Sequence, residues 1–191
     1  RGFDVIGVDN SEDMLSIALD KKFDSGLPIQ YLCQDMCELD MYGTIDVTIC
    51  ALDSLNHLAD INSVKRAIER VSLFTNPNGL FIFDINTIYK HKNILGNNTF
   101  IYDTDEVFCV WQNTYIEKDN SVLIELNLFE KDEDVYRRFD ESFSEKAYDV
   151  EMIKQICENA GLELINIYDY MTKNPPRDDS EKLTFIHKKV R

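Results

Sequence analysis

The first apolar segment of the chain ends in an acidic side chain that could bind a ligand. Residues 3–9 form a β-branched run, which predicts a buried parallel strand closed by Asp9, and Asn10 or Ser11 then begins a helix. A carboxylate at this position can accept hydrogen bonds from two ribose hydroxyls of a nucleotide-like ligand. Alternatively, Asp9 only caps the helix. A dehydrogenase could use the same feature, so the position by itself is not specific.

Further polar side chains follow the strands predicted at residues 45–51 and 80–85. In open α/β sheets, ligands bind beyond the carboxyl ends of the strands, so these side chains are candidates for holding a substrate. A base is needed only if that substrate must lose a proton. His57 could instead be a surface histidine at a helix start, and Tyr89 and His91 could lie in a solvated loop. The candidates are Asp53, His57, Asn86, Tyr89 and His91.

The segment after residue 100 supplies aromatic and basic candidates. Two adjacent arginines are unusual in so acidic a chain and could hold a carboxylate or phosphate of a substrate. The alternative for this pair is ion pairing with the surrounding acids. Packing inside this segment is the alternative for Trp111. The candidates are Trp111, Tyr136, Arg137, Arg138 and Tyr148.

The elements that must position these residues alternate between strand and helix in the first part of the chain. One helix follows Asp9 and a second begins at Asp60 or Asn62, and both show the 3.6-residue apolar period. A turn at residues 76–79 precedes the last of the strands. This alternation predicts an α/β domain with a mainly parallel sheet. The apolar helix positions are Met14, Leu15, Ile17 and Ala18, then Val64, Ala67, Ile68 and Val71, and the strands are 3–9, 29–33, 45–51 and 80–85.

The second part of the chain has a different pattern. Three β-rich stretches separated by polar turns predict a three-stranded antiparallel meander. A helix that stops at Gly161 and two final strands complete the chain. The meander strands are 107–116, 122–130 and 136–145, the helix covers about 150–160, and the final strands are 162–168 and 183–190.

Composition narrows the classes of partner. A chain of 191 residues fits one domain, and its formal net charge of −15 argues against nucleic acid, which is bound through clustered Lys and Arg. The five cysteines are odd in number and scattered, which favours buried thiols in a reducing compartment over a metal site. No apolar run is long enough to cross a membrane and no signal segment begins the sequence. We therefore expect a cytoplasmic protein with a small-molecule or basic substrate.

Three stretches together resemble class I S-adenosylmethionine-dependent methyltransferases. Gly2-Phe-Asp-Val-Ile-Gly-Val-Asp9-Asn-Ser11 resembles the second-strand motif of that family. Cys33-Gln34-Asp35-Met36 resembles the end of its third strand, and the segment from Asn76 to Asp84 resembles its fifth strand and preceding turn. The resemblance covers essentially the whole chain and is strongest to small-molecule enzymes with a β-lid after the fifth strand. It implies a Rossmann-like, mostly parallel sheet with an antiparallel last strand.

The resemblance also implies roles for individual residues. Asp9 and Asn10 would bind the ribose end of S-adenosylmethionine, Asp35 the adenine amino group and Met36 the adenine face, and Leu52 would contribute backbone. Plain packing is the alternative for Met36, and a solvated strand end is the alternative for Asp35. Substrate contacts would come from Asp53, His57, Asn86, Tyr89, Trp111 and Arg138.

One feature departs from the family. Its first strand and glycine-rich loop have no counterpart here, because no Gly-x-Gly occurs in the sequence. Either the sequence begins after that loop or the chain is a degenerate relative. We interpret residues 1–191 as one methyltransferase domain, incomplete at its N-terminus, with residues 100–147 as the lid. The leading hypothesis is methyl transfer to nitrogen or oxygen of a small molecule, and the alternative is a non-catalytic binding or scaffolding module.

Overall fold

A computed structural model describes residues 2–190. Within that range the chain forms three α-helices, ten strands and three short helical turns. The helices are α1 (Glu12–Ser25), α2 (Ile61–Phe74) and α3 (Val150–Asn159). The strands are β1 (Val5–Asp9), β2 (Ile29–Cys33), β3 (Ile45–Cys50), β4 (Thr75–Asn86), β5 (Thr99–Asp103), β6 (Val107–Ile116), β7 (Ser121–Asp132), β8 (Val135–Lys146), β9 (Leu162–Asp169) and β10 (Lys182–Lys189). The short turns are two 3₁₀ turns, Met36–Glu38 and Ser54–His57, and a π-helix, Lys90–Leu95.

The strands outside the meander form two sheets. β1 and β2 pair in parallel, and a four-stranded sheet has the order β3-β4-β10-β9. β3 and β4 are parallel, whereas β10 runs antiparallel to both β4 and β9. The predicted α/β class and the antiparallel last strand are confirmed, and the four-stranded sheet is mixed. The carboxyl end of β4 lies beside the amino end of β10, with Lys182 opposite Asn86.

Side-chain caps begin the three helices. Ser11 Oγ accepts the N–H of Met14 at 3.2 Å, and Asp60 Oδ1 accepts that of Ser63 at 2.8 Å. Asp149 Oδ1 accepts the N–H groups of Glu151 and Met152 at 2.9 and 3.1 Å. Each cap satisfies backbone donors that the first turn leaves unpaired. The helix starts that the sequence predicts are therefore fixed by short polar side chains.

The main core lies between α2, α3 and the four-stranded sheet. Val64, Ala67, Ile68 and Val71 of α2 are buried, as the 3.6-residue period predicts. The last apolar position, expected at Leu73 or Phe74, is not buried, and Leu73 is 61% exposed at the end of the helix. The four buried residues pack with Phe81, Phe83 and Ile85 of β4 and with Phe185 of β10. Alternate residues of these strands are buried, so this face of the sheet forms the base on which the β3 and β4 strand ends are held.

The β1–β2 unit is more exposed than the sequence predicts. Residues 3–9 were expected to form a buried strand, but Val5, Ile6 and Val8 are 46%, 37% and 39% exposed. On α1 only Leu15 is buried, while Met14 and Ile17 lie in solvent. The reason is that β1 pairs with β2 alone within the described residues, so few neighbours cover either face.

The meander is inserted between β4 and α3 and has four strands, in the order β5-β6-β7-β8. β6, β7 and β8 match the three predicted stretches. β5 was not predicted, because five residues after the π-helix carry little alternation, and it is held by pairing with β6. The meander has its own small core around Leu95, Val122 and Ile124.

The turn at residues 76–79 is part of β4. β4 begins at Thr75, and its register against β3 shifts between Ile45 and Val47. Asn78 has a φ of 68°, which a strand interior rarely contains. The predicted turn is therefore present as an irregularity inside a longer strand.

Candidate functional site

Two acidic side chains lie at the carboxyl ends of β1 and β2. Asp9 is exposed, and its Oδ1 accepts the N–H of Ser11 at 2.8 Å. Its second carboxylate oxygen has no hydrogen-bond partner among residues 2–190. Asp9 therefore shapes the start of α1, as the alternative interpretation holds, and still has an oxygen free to accept ligand hydroxyls. The Asn10 carbonyl next to it accepts the thiol of Cys33 at 3.8 Å.

Asp35 and Met36 follow β2. Asp35 is exposed, and its Oδ1 accepts the N–H of Cys37 at 2.8 Å, which begins a 3₁₀ turn. Met36 is partly buried and packs against the main core. The backbone N–H of Gln34 donates to the Asp9 carbonyl at 3.0 Å, so the two strand ends are adjacent. Asp9 and Asp35 thus share one edge, as parallel pairing predicts.

The loop after β3 has an unusual backbone. Leu52 and Asp53 both have positive φ, 59° and 51°, a conformation that costs free energy for residues other than glycine. The buried carboxylate of Asp84 compensates, because it accepts the N–H of Leu52 at 3.0 Å and that of Asp53 at 2.7 Å. Leu52 itself is 71% exposed. Asp84 therefore holds a strained loop from which Leu52 faces outward, while the Asp53 side chain points back to Asn86 and Lys182.

Lys182 fills the space between these carboxylates. Its Nζ lies 3.2 Å from Asp53 Oδ1, 3.3 Å from Asp84 Oδ1 and 4.9 Å from the ring centre of Tyr170. Burial lowers the pKa of Lys182, but the charges of Asp53 and Asp84 raise it more, so its pKa lies above the ordinary value. The ammonium is a permanent cation that neutralises part of the acidic edge.

Asn86 connects the strand ends to the meander. Its Nδ2 donates to Asp53 Oδ2 and, at 2.9 Å, to Glu145 Oε2. Its Oδ1 accepts Lys90 Nζ at 2.9 Å. Its backbone N–H donates to Asn56 Oδ1 at 2.9 Å, and Asn56 is fully buried. The end of β4 is thereby fixed from three sides.

Glu145, at the end of β8, is the meander residue that joins the polar side chains at the strand ends. It is buried, with Oε2 3.6 Å from His91 Nε2 and Oε1 3.8 Å from His57 Nε2. Burial raises the pKa of Glu145, but the neighbouring His91 and His57 rings and the Asn86 hydrogen bond outweigh it. The net pKa is below the usual value, so this side chain is a carboxylate.

We call this connected set the edge network. It joins five parts of the fold, namely the segment after β3, the end of β4, the π-helix, the end of β8 and the start of β10. Mostly buried groups connected in this way restrict one another's positions. Its members are Asp53, Asn56, His57, Asp84, Asn86, Lys90, His91, Glu145 and Lys182.

A polar depression adjoins the edge network. Its volume is about 440 Å³, and it is bordered by Lys90 and Lys182 together with Asp169, Tyr170 and Arg177. Concave sites of this size accommodate small organic ligands. The depression therefore offers room for a small polar molecule beside the network.

The remaining predicted residues lie elsewhere or have other partners. Tyr89 is half-buried and precedes the π-helix. Trp111 packs in the meander core with its Nε1 donating to Asn113 Oδ1 at 2.7 Å, as the packing alternative holds.

Arg138 contacts Asp140 at 2.9 Å and lies over the Phe129 ring, so ion pairing is the interpretation that the contacts favour. The same holds for Arg137, which pairs with Asp132, and Tyr136 is exposed. Tyr148 is buried and donates to the Leu58 carbonyl at 2.8 Å.

Sequence reasoning found Asn86 but missed several other network members, including Asp84 and Lys90. Asp84 lies two residues before Asn86 on the same buried strand, and that spacing could have marked both as facing one side. Asn56, Glu145 and Lys182 carry no comparable local signal, because their partners lie far away in sequence.

No membrane-crossing helix and no metal-binding group of three or more His, Cys, Asp or Glu side chains is present in residues 2–190.

The side chains at the β1–β2 edge fit the adenosine part of S-adenosylmethionine. Asp9 has a free carboxylate oxygen at a strand end, which suits ribose hydroxyls, and Asp35 is an exposed acceptor beside it. Met36, which directly follows Asp35, is partly buried and packs against the main core. These features belong to this chain's own geometry and are compatible with a bound nucleoside.

Known proteins provide an independent comparison. A family model described as "Methyltransferase domain" matches residues 1–79. YqeM of Bacillus subtilis (strain 168), which is named as a methyltransferase, is 31% identical over 97% of this chain and 75% of its own length.

Solved structures show the same relationship. An S-adenosylmethionine-dependent methyltransferase from Clostridium acetobutylicum ATCC 824 is 35% identical, with a TM-score of 0.92 over 97% of this chain and 75% of that one. S-adenosylmethionine-bound CalS10, an amino pentose methyltransferase from Micromonospora echinaspora, shares the fold at 18% identity and a TM-score of 0.74, over 97% and 74% of the two chains. These matches favour an enzyme over the binding-module alternative. The chain belongs to the class I S-adenosylmethionine-dependent methyltransferases, whose cofactor is S-adenosylmethionine.

Proposed function

We propose that this enzyme methylates a nitrogen or oxygen atom of a small polar molecule. The observation that carries the proposal is the edge network, in which Glu145 of the meander meets Asn86 and Asp53 at the strand ends. An acceptor held there would meet carboxylates and amides that already have fixed positions. CalS10, whose name gives an amino pentose as its acceptor, is compatible with a substrate of this size and polarity.

The cofactor side lies at the β1–β2 edge. S-adenosylmethionine, when bound, supplies a methyl group activated by its positively charged sulfur. Asp9 accepts the ribose hydroxyls, Asn10 lies beside it, and Asp35 accepts the adenine amino group. Met36 packs on the adenine face, and the exposed Leu52 loop borders the methionine part. Asp84 does not contact the cofactor in this arrangement. It holds the Leu52–Asp53 loop by accepting two backbone N–H groups.

The acceptor side lies at the β3–β4 edge. Asp53, Asn86 and Glu145 orient the acceptor, while Lys182 keeps the Asp53 and Asp84 carboxylates from repelling one another. Lys90 holds the Asn86 amide by donating to its oxygen. His57 and Tyr89 border the same region. Orientation and exclusion of water contribute most to the rate of such a transfer, since the methyl group is already activated. Residues 100–147 act as the lid that supplies this exclusion.

Two open strand edges support an addition to the sheet. Within residues 2–190, β1 pairs with β2 alone and β3 with β4 alone, and the edge strand β3 exposes Val47 and Ile49. Exposed apolar edge strands are unfavourable in a finished sheet. We propose that these edges take up a further strand of the natural protein, and that its loop completes the cofactor site.

The proposal is tested by a transfer assay on the full natural protein. The protein is incubated with S-adenosylmethionine and a panel of amino sugars, small amines and phenols, and S-adenosylhomocysteine formation is measured. Separate reactions contain protein or RNA as the acceptor. We expect turnover with a subset of the panel and methylation at one N or O position by mass spectrometry. Product that appears only with protein or nucleic-acid acceptors would contradict a small-molecule acceptor.

A further inference from the structure

His57 is held rigidly although its ring reaches solvent. It ends the Ser54–His57 turn, directly after Leu55 and Asn56, which are both fully buried. Asn56 N–H donates to the Asp53 carbonyl at 2.7 Å, and the Asn56 side chain donates to the Lys146 carbonyl at 2.8 Å. The His57 side chain itself is 46% exposed. A fixed yet accessible imidazole is the arrangement that proton transfer to a ligand requires.

The meander contacts one side of this ring. Phe143 packs against it with ring centres 5.5 Å apart, and Glu145 Oε1 lies 3.8 Å from Nε2. Phe143 and Glu145 are two residues apart on β8, so they project from the same face of the strand. His57 is therefore oriented by a paired aromatic and acidic contact from another part of the fold.

Only one oxygen of Glu145 is available to His57. The other, Oε2, faces Asn86 Nδ2 and His91 Nε2. An anion beside Nε2 favours a proton on that nitrogen and leaves Nδ1 with its lone pair. His57 Nδ1 has no hydrogen-bond partner among residues 2–190. The free basic atom is thus on the ring side that Glu145 does not occupy.

His91 cannot take the same role. It is fully buried, and its Nδ1 lies 3.1 Å from the Asn120 carbonyl, which can only accept a hydrogen bond. Its Nε2 faces Glu145, so neither nitrogen is open to a ligand. His91 is therefore a buried neighbour of Glu145 and has no ring nitrogen with which to bind an acceptor.

We propose that His57 is the general base of the methyl transfer and that Glu145 is the residue that positions it. This rests on the proposed function. His57 Nδ1 takes the proton that the acceptor N–H or O–H loses as the acceptor bonds to the methyl carbon. The carbon–sulfur bond breaks with its electron pair left on sulfur, and the half-exposed ring then releases the proton to water.

Nitrogen-15 NMR of the three histidines tests the geometry without cofactor or acceptor. We expect neutral His57 to carry its proton on Nε2, and Glu145→Gln to shift the Nε2 signals of His57 and His91 while those of His187 stay in place. A proton on Nδ1 of His57, or a His57 signal that ignores Glu145→Gln, would overturn the assignment.

Kinetics then test the role, with the acceptor that turns over fastest in the panel. We expect His57→Gln to lower kcat by about 10²-fold with little change in KM, and imidazole added to His57→Ala to restore part of the rate. Glu145→Gln should lower kcat less, and Glu145→Asp should recover part of that loss. The control His187→Phe, which replaces a core histidine away from the network, should leave kcat unchanged.

The outcomes separate the two proposals. A His57→Ala enzyme within about threefold of the wild-type kcat, without imidazole rescue, would refute the base assignment and leave the proposed function intact. If no small molecule in the panel is methylated by the wild type, the proposed function fails, and the NMR experiment alone decides whether Glu145 orients His57.

Discussion

The carboxyl ends of β1 and β2 and those of β3 and β4 both carry acidic side chains, but the two edges are built differently. Asp9 and Asp35 are exposed, and each accepts an N–H only two residues ahead in the chain. Asp84 and Glu145 are buried and bind groups that lie more than 30 residues away. The first edge is held by local contacts and the second by long-range ones.

This difference matches two tasks. Carboxylates with a free oxygen can accept hydrogen bonds from a ligand that arrives from solvent. Buried carboxylates that are hydrogen-bonded to other groups of the protein instead keep those groups in fixed positions. Fixed polar groups lower the cost of orienting reactants. The comparison therefore supports the proposal that the β1–β2 edge recognises the cofactor and that the β3–β4 edge aligns the acceptor.

The largest effect is expected from Asp84→Ala. Its removal leaves Lys182 with one fewer partner and releases the Leu52 and Asp53 backbone N–H groups. Breaking a buried ion pair in this way costs about 3 to 5 kcal/mol of unfolding free energy. Urea denaturation measures it, with the exposed Asp20→Ala on α1 as the matched acidic control. A loss below about 1 kcal/mol would mean that the loop holds its shape without Asp84.

His187 separates the pH dependence of the core from that of the edge network. It is fully buried, stacked beside Phe83 and Phe185, and both ring nitrogens lack partners in the described chain. Burial lowers the pKa of His187 from 6.5 to about 4. The unfolded chain therefore binds this proton more readily, and stability is lost as pH falls from 6.5 towards 4.

The full pKa difference of His187 corresponds to about 3 to 3.5 kcal/mol, of which about 2 to 3 kcal/mol should be lost between pH 7 and pH 4.5. Urea denaturation at pH 7 and pH 4.5 measures it in the wild type and in His187→Phe. We expect the variant to lose less stability over this interval. The lowered pKa of Glu145 acts in the same direction but at lower pH, because its stabilisation is lost only as that carboxylate protonates. Equal losses in both proteins would show that His187 is not buried in its neutral form.

Asp9→Ala tests the exposed edge. Its one hydrogen bond is local, so we expect little change in unfolding free energy. Cofactor binding should weaken by about 1 to 3 kcal/mol, the range for hydrogen bonds to a charged group. Calorimetric titration of the full natural protein with S-adenosylhomocysteine measures this, again beside Asp20→Ala. Unchanged affinity would place the ribose elsewhere.

The smallest effect is expected from Arg138→Ala on the meander. Arg138 is exposed and its contacts with Asp140 and Asn127 are at the surface, so their loss should cost less than about 1 kcal/mol. We expect KM for the acceptor to change by less than about twofold. A much larger rise in KM would return Arg138 to the acceptor site that the sequence suggested.

The same contrast explains what could be predicted from sequence. The apolar face of α2 and its Asp60 cap are local patterns, and the structure has both. The exposure of β1 depends on which strands lie beside it, which its own residues do not encode. Glu145 lies in a polar stretch of β8, and only the folding of the meander onto the strand ends brings it to His57 and His91. Local sequence patterns thus pointed to Asp9 and Asp35 at the β1–β2 edge, whereas most of the edge network could be recognised only from the folded structure.

The most direct test is a crystal structure of the full natural protein with S-adenosylhomocysteine. We predict that the two ribose hydroxyls lie within hydrogen-bond distance of the Asp9 carboxylate, and that the cofactor sulfur faces the Asp53, Asn86 and Glu145 side chains. A nucleoside bound away from the β1–β2 edge, with Asp9 contacting only Ser11, would contradict the division of tasks between the two edges.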